Sequence, residues 1–143
     1  MKEALVRWVG GMAFETRTGS GHTVLTDARP EVGGEDRGPR PTELLLAALG
    51  GCTGIDVVSI LKKMRVDFDR VEVAIEADER EEHPRYFERF RMVYRVFGNN
   101  VSADAVKRAV ELSETRYCSV AGLFRHGAAI SYRIEINGEP VEG

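Results

Sequence analysis

The stretch GPRPTELLLAALGGCTGIDVVSILKKMR, residues Gly38 to Arg65, decides the fold. It reads as one long, nearly uncharged helix that starts near Pro41-Thr42 and ends near Lys62-Lys63. Thr42 suits a cap, or Pro41 the first turn, where its missing N–H costs nothing. The two lysines suit the negative C-terminal end of the helix dipole. A helix this apolar is expected to be a buried spine around which the other elements pack. Gly50, Gly51 and Gly54 surround a lone cysteine, Cys52. Each glycine inside a helix costs roughly 0.5–1 kcal/mol against alanine. The expected return is close approach of another backbone, or a small space beside the Cys52 sulfur.

Upstream, residues 5–27 read as a strand meander. Leu5 to Val9, Met12 to Arg17 and His22 to Thr26 are the strands, with turns at Gly10-Gly11 and Gly19-Ser20-Gly21. Residues 28–41, rich in glycine and proline, form a loop of the length often found in functional lids or disordered segments.

Downstream, Val71 to Ala77 and Phe90 to Phe97 are strands joined across a charged turn containing His83-Pro84. Phe90, Met92, Tyr94 and Val96 share one face with Arg91 and Arg95 opposite, so one face is expected buried and the other wet. Ser102 is placed to cap a helix running from Ala103 to about Thr115, with Val106, Ala109 and Val110 as its apolar stripe. A short helix, Val120 to His126, is stopped by Gly127, and a last strand covers Ala129 to Ile136. The order βββ–α–ββ–αα–β, with strands grouped and helices set between, predicts an α+β fold rather than a doubly wound sheet.

The 143 residues suit a single domain, 1–143. Hydrophobic content of 43%, charged content of 30% and a net charge of −3 are ordinary for a globular protein. The mixed charge gives no footprint for nucleic acid or an anionic membrane. Lys2, Glu3 and Arg7 stand where a signal peptide needs an apolar run, and the charge-free stretch Leu44 to Ile55 is too short to span a bilayer. These features place the protein in the cytoplasm, with no membrane and no nucleic-acid partner expected.

Two cysteines are too few for a cysteine-based zinc site, and His22, His83 and His126 show no ligand spacing to them. No metal and no cofactor is expected. Taken alone, each cysteine reads more readily as a small buried hydrophobe than as a nucleophile. Cys118 stands where the chain enters a helix, with Ser119 as a candidate cap. Unpaired N–H groups there favour a thiolate. Cys52 lies on a helix face shared with Leu45, Ala48, Leu49, Ile55, Asp56 and Ser59. Apolar burial raises a thiol pKa, so reactivity at Cys52 requires a partner that its own helix does not supply.

The segments GPRPTELLLAALGGC, GGCTGIDVVSILKK and RAVELSETRYCSVA, with the WVGGMAF start and the REEHPRYF turn, resemble the OsmC/Ohr family, osmotically inducible protein C and organic hydroperoxide resistance proteins. They are most similar to its YhfA-like branch. The likeness covers most of the chain and includes the element order. It implies an OsmC-like fold and an intertwined homodimer with two sites at the subunit interface. It also implies a peroxidatic role for Cys52, which attacks a hydroperoxide and becomes a sulfenic acid, and a resolving role for Cys118. A small organic hydroperoxide would be the substrate and a dithiol the reductant.

The family's activating arginine follows the first glycine pair, a position held here by Met12. The glutamate that holds that arginine corresponds to Thr42, with Glu43 one residue later. Glu43 is the candidate third site residue. On a continuous helix it lies about 13 Å along the axis from Cys52, so it would serve a partner subunit's site rather than its own. Arg17, Arg37 and Arg40 are the substitute cations, the loop arginines preferred. The resemblance thus implies a thiol-dependent peroxidase. The loss of both accessory positions motivates the alternative, a small-ligand-binding or redox-sensing module on the same fold.

Overall fold

The computed structural model describes residues 1–141. Strands β1 (Ala4–Trp8), β2 (Phe14–Thr18) and β3 (Thr23–Thr26) form an antiparallel meander, with Trp8 opposite Phe14 and Phe14 opposite Thr26. Gly10 and Gly11 both take positive φ in the β1–β2 turn, the backbone state glycine adopts without penalty.

Helix α1 (Pro41–Lys63) follows the loop expected between meander and helix. Pro41, not Thr42, is its first residue, and the cap position is Arg40. The loop is tied down rather than open. The buried Asp27 accepts backbone N–H groups from Ala28 at 2.7 Å and from Glu35 and Arg37 at 3.1 Å each. Burial pushes its carboxyl pKa up, but those N–H donors and the Arg37 charge outweigh burial and hold it below the ordinary value.

Along α1, Leu49, Thr53, Val57 and Leu61 recur one turn apart and are the buried stripe. Val57 and Leu61 pack on Ala105 and Ala109 of α2 (Ala103–Leu112), while Leu49 packs on Cys118 and on Ala121 of α3 (Ser119–His126). Strands β4 (Arg70–Glu79) and β5 (Phe87–Phe97) pair antiparallel and lie against the same helix. Phe90, Met92, Tyr94 and Val96 face the two apolar clusters as the alternation predicts. On the opposite face Arg91 grips Asp78 with two guanidinium nitrogens, at 2.6 and 2.9 Å.

The glycines of α1 divide by role. A Cβ on Gly50 would stand 3.0 Å from Ile75 Cδ1, and one on Gly54 3.8 Å from Val73 Cγ2, so these two admit strand β4. Gly51 faces open space. The expected close approach is therefore to a sheet, not to a cavity at Cys52.

Three expectations are corrected. The spine is buried on one face only: Ile55 is 72% exposed and Leu45 42%. The helix expected to reach Thr115 stops as an α-helix at Leu112 and widens into a π turn, Ser113–Tyr117, because the Cys118 N–H donates back five residues to the Ser113 carbonyl. The last strand is not continuous over Ala129–Ile136. Only β6 (Glu135–Ile136) pairs, with β7 (Glu139–Pro140); among the described residues no strand pairs with residues 128–133, and the Ile134 carbonyl accepts the Val141 N–H at 2.9 Å. An extended segment without a ladder partner gains none of the hydrogen bonds that define a strand. With a 3-10 turn at Pro30–Val32 before α1, the resulting order is βββ–3-10–α–ββ–α–π–α–ββ, still α+β.

Candidate functional site

Cys52 and Cys118 meet. Cys52 packs against the cluster of Leu49, Cys118 and Ala121, close enough to Cys118 to help push its thiol pKa up. Both are free thiols. Cys52 is half-buried on α1, whereas Cys118 is 5% exposed at the mouth of α3.

The π turn sets the Cys118 position, and the sulfur itself is the helix cap. Cys118 Sγ accepts the N–H of Ala121 at 3.4 Å, the role expected of Ser119. Burial pushes the Cys118 thiol pKa up, and the neighbouring Cys52 adds to this, while N–H groups of Ala121 and Val120 oppose it. The net direction is upward. The helix start therefore favours charge on Cys118 less than burial disfavours it.

Leu49 and Ala121, which enclose Cys118, also line a groove of about 620 Å³. Its remaining wall includes Phe90 and Phe124, stacked with ring centroids 5.0 Å apart. Tyr94, Glu114 and Arg125 supply polar groups to it. The thiol pair thus lies behind the apolar wall of an open groove wide enough for an organic molecule.

A chain of polar contacts crosses the site beside the thiols. Thr53 Oγ1 lies 2.7 Å from both Tyr94 Oη and Ser113 Oγ. Ser113 Oγ lies 2.9 Å from Asp56 Oδ2, and Tyr94 Oη meets Glu114 Oε1. Arg125 Nη2 donates to Glu114 Oε2 at 2.8 Å, and Arg125 Nη1 to the Glu114 carbonyl. Burial pushes the Tyr94 phenol pKa up, and the Glu114 carboxylate beside it adds to the shift. Of the residues in this polar chain, the sequence pattern placed only Asp56 on the Cys52 face. Thr53, Tyr94, Ser113, Glu114 and Arg125 were missed, because contacts across 20 to 60 residues leave no local spacing.

The other expected site groups are elsewhere within this chain. Glu43 Oε1 accepts the Arg40 N–H at 2.7 Å and so closes the first turn of α1. Arg40 Nη1 is paired with Asp36 at 2.8 Å and donates to the Gly38 carbonyl, and Arg37 serves Asp27. Arg17 is exposed on β2. The arginines that line the groove are Arg89, from β5, and Arg125, from α3. No cluster of three metal-ligating side chains occurs among the described residues.

The architecture is that of the OsmC fold. The family model described as OsmC-like protein matches residues 33–133, and the chain belongs to that family. It is 40% identical over 134 residues to Protein YhfA of Escherichia coli strain K12, covering 94% of this chain and 97% of that one. A hypothetical protein from Aquifex aeolicus superimposes with a TM-score of 0.77 at 31% identity, over 89% of each chain. An organic hydroperoxide resistance protein OsmC from Legionella pneumophila shares the fold, with a TM-score of 0.63 at 15% identity over 88% of this chain and 90% of that one.

Proposed function

We propose that this protein is a thiol-dependent peroxidase for organic hydroperoxides, acting as a single OsmC-like domain in the cytoplasm. The observation that carries the reading is the pair of free thiols, Cys52 and Cys118, in mutual contact behind an apolar groove. Cys52 as thiolate attacks the terminal oxygen of R–O–O–H. The O–O bond breaks, Cys52 keeps the oxygen as sulfenic acid, and the departing alkoxide takes a proton to leave as alcohol. Cys118 then attacks the Cys52 sulfur, a disulfide forms and water leaves. An external dithiol returns both cysteines to thiols. Cys118, held as a thiol until the sulfenic acid forms, suits the resolving role.

The working unit in this reading is a homodimer. Leu5, Val6 and Trp8 of β1 are each more than half exposed, as are Ile130, Tyr132 and Ile134 and the outer residue Ile55 of α1. A second copy would cover these surfaces, and Glu43 would act at the partner's site. The test mixes reduced protein with cumene hydroperoxide and follows peroxide consumption and thiol loss. Parent activity that Cys52→Ser abolishes is expected; equal consumption by the variant overturns the mechanism.

Met12 in the arginine position, and loop arginines already engaged, favour a second reading as a small-ligand or redox-sensing module. Ligand binding or slow disulfide formation without peroxide turnover selects it.

A further inference from the structure

We infer that a disulfide between Cys52 and Cys118 uncaps α3 and opens the groove wall this helix carries, so that the oxidised site releases product and admits its reductant. The inference rests on the resolving step of the peroxidase reading above, in which the Cys52 sulfenic acid and the Cys118 thiol give a disulfide and water.

One sulfur serves two structures in the reduced protein. Cys118 Sγ accepts the Ala121 N–H at 3.4 Å and so caps α3, and the same side chain packs in the cluster with Leu49, Ala121 and Cys52. A disulfide holds its two sulfurs at about 2.05 Å, well inside the contact distance of separate thiols. The Cys52 side has little room to give. The next residue, Thr53, is fully buried and lies 2.7 Å from both Tyr94 Oη and Ser113 Oγ. The Cys118 N–H is held by the Ser113 carbonyl at 2.9 Å. The Cys118 side chain is therefore the part that swings, and its sulfur leaves Ala121. A first-turn N–H of α3 then loses its acceptor.

Helix α3 depends on that cap. It has eight residues, and Ala121 is the buried one. Gly122 stands in its interior, where a Cβ would meet nothing within 4 Å. Packing does not require that glycine, which only weakens the helix. A helix this short holds by its cap and its tertiary contacts. Those contacts are the groove wall: Phe124 stacks on Phe90 with ring centroids 5.0 Å apart, and Arg125 Nη2 donates to Glu114 Oε2 at 2.8 Å. Loosening α3 separates Phe124 from Phe90 and opens the groove. The reduced arrangement withholds that access, since Cys118 is 5% exposed and a dithiol must reach a sulfur of the disulfide to attack it.

Hydrogen exchange read by mass spectrometry on the full chain tests this, with the disulfide formed by diamide so that no peroxide turnover is needed. Diamide takes two electrons and two protons from the thiols and becomes the hydrazine. A chain that diamide leaves as two thiols overturns the inference, whereas peroxide consumption by Cys52 is decided by its own assay. Amides from Gly122 to Gly127 should exchange about fivefold faster or more in the disulfide form than in the reduced form. Equal protection in the two forms overturns the switch. Cys118→Ser keeps a capping oxygen and cannot form the bond, so its α3 should stay protected after diamide; loss of protection there would trace the effect elsewhere and overturn the inference. Gly122→Ala should restore protection in the oxidised protein and slow reduction of the disulfide by dithiothreitol about threefold or more. Reduction at the parent rate overturns the link between α3 and access.

Discussion

Thr53 Oγ1 and Ser113 Oγ lie 2.7 Å apart, both fully buried, across a separation of 60 residues. Thr53 follows Cys52 in the chain, and the Ser113 carbonyl accepts the Cys118 N–H at 2.9 Å. The contact therefore ties the two cysteine-bearing segments together.

Thr53→Val keeps the shape and removes the hydroxyl that bridges Tyr94 and Ser113. Leaving a buried polar partner unsatisfied costs about 1–3 kcal/mol. Urea denaturation should show a loss in that range for Thr53→Val and a smaller one for Thr53→Ser, which restores the hydroxyl. Equal losses in the two variants would assign the effect to packing.

Cys118 should resist alkylation at neutral pH. Its folded pKa is raised, so the folded state binds the thiol proton more tightly than the unfolded chain does. That contribution to stability is present below the unfolded thiol pKa and is lost as pH rises through the folded one. Peptide mapping after iodoacetamide treatment should find Cys118 modified only above the ordinary thiol range. Denaturation midpoints of parent protein should fall there more steeply than those of Cys118→Ser.

Asp27 titrates with the opposite sign. Its folded pKa is lowered, so its contribution is present above the unfolded value of about 3.8 and is lost as pH falls through the folded one. Asp27→Asn should release the loop it holds, which limited trypsin cleavage after Arg37, the loop arginine not followed by proline, would report at neutral pH. Cleavage no faster than in the parent would show that the loop is held by other contacts.

Ile55 stands 72% exposed on the outer face of α1, in the groove that also contains Gly51 and Val58. Ile55→Glu should abolish self-association in sedimentation velocity while leaving the far-ultraviolet dichroism of the chain unchanged, because a buried charge at an apolar interface is unfavourable. A variant that remains as associated as the parent would place the subunit contact elsewhere.

Local pattern was enough for the elements whose cause is local. The start of α1 at Pro41, its lysine end, Ser102 as cap and the alternation of Phe90, Met92, Tyr94 and Val96 each act within a turn or a strand, and each is found in the structure. Gly127 ends α3 for the same reason. The family pattern around Cys52 and Cys118 was legible as well, since it consists of contiguous segments.

Tertiary structure alone decided the rest. That Cys118 caps α3 with its sulfur depends on a π turn, a widening that helical periodicity does not register. That residues 128–134 form no strand depends on the lack of a neighbouring edge for them among the described residues, because a β ladder is a property of two segments and not of one. The polar series from Asp56 to Glu114 joins α1, β5 and the π turn through side chains far apart in sequence. Hydrogen-bond geometry of that kind exists only once packing has brought the segments together.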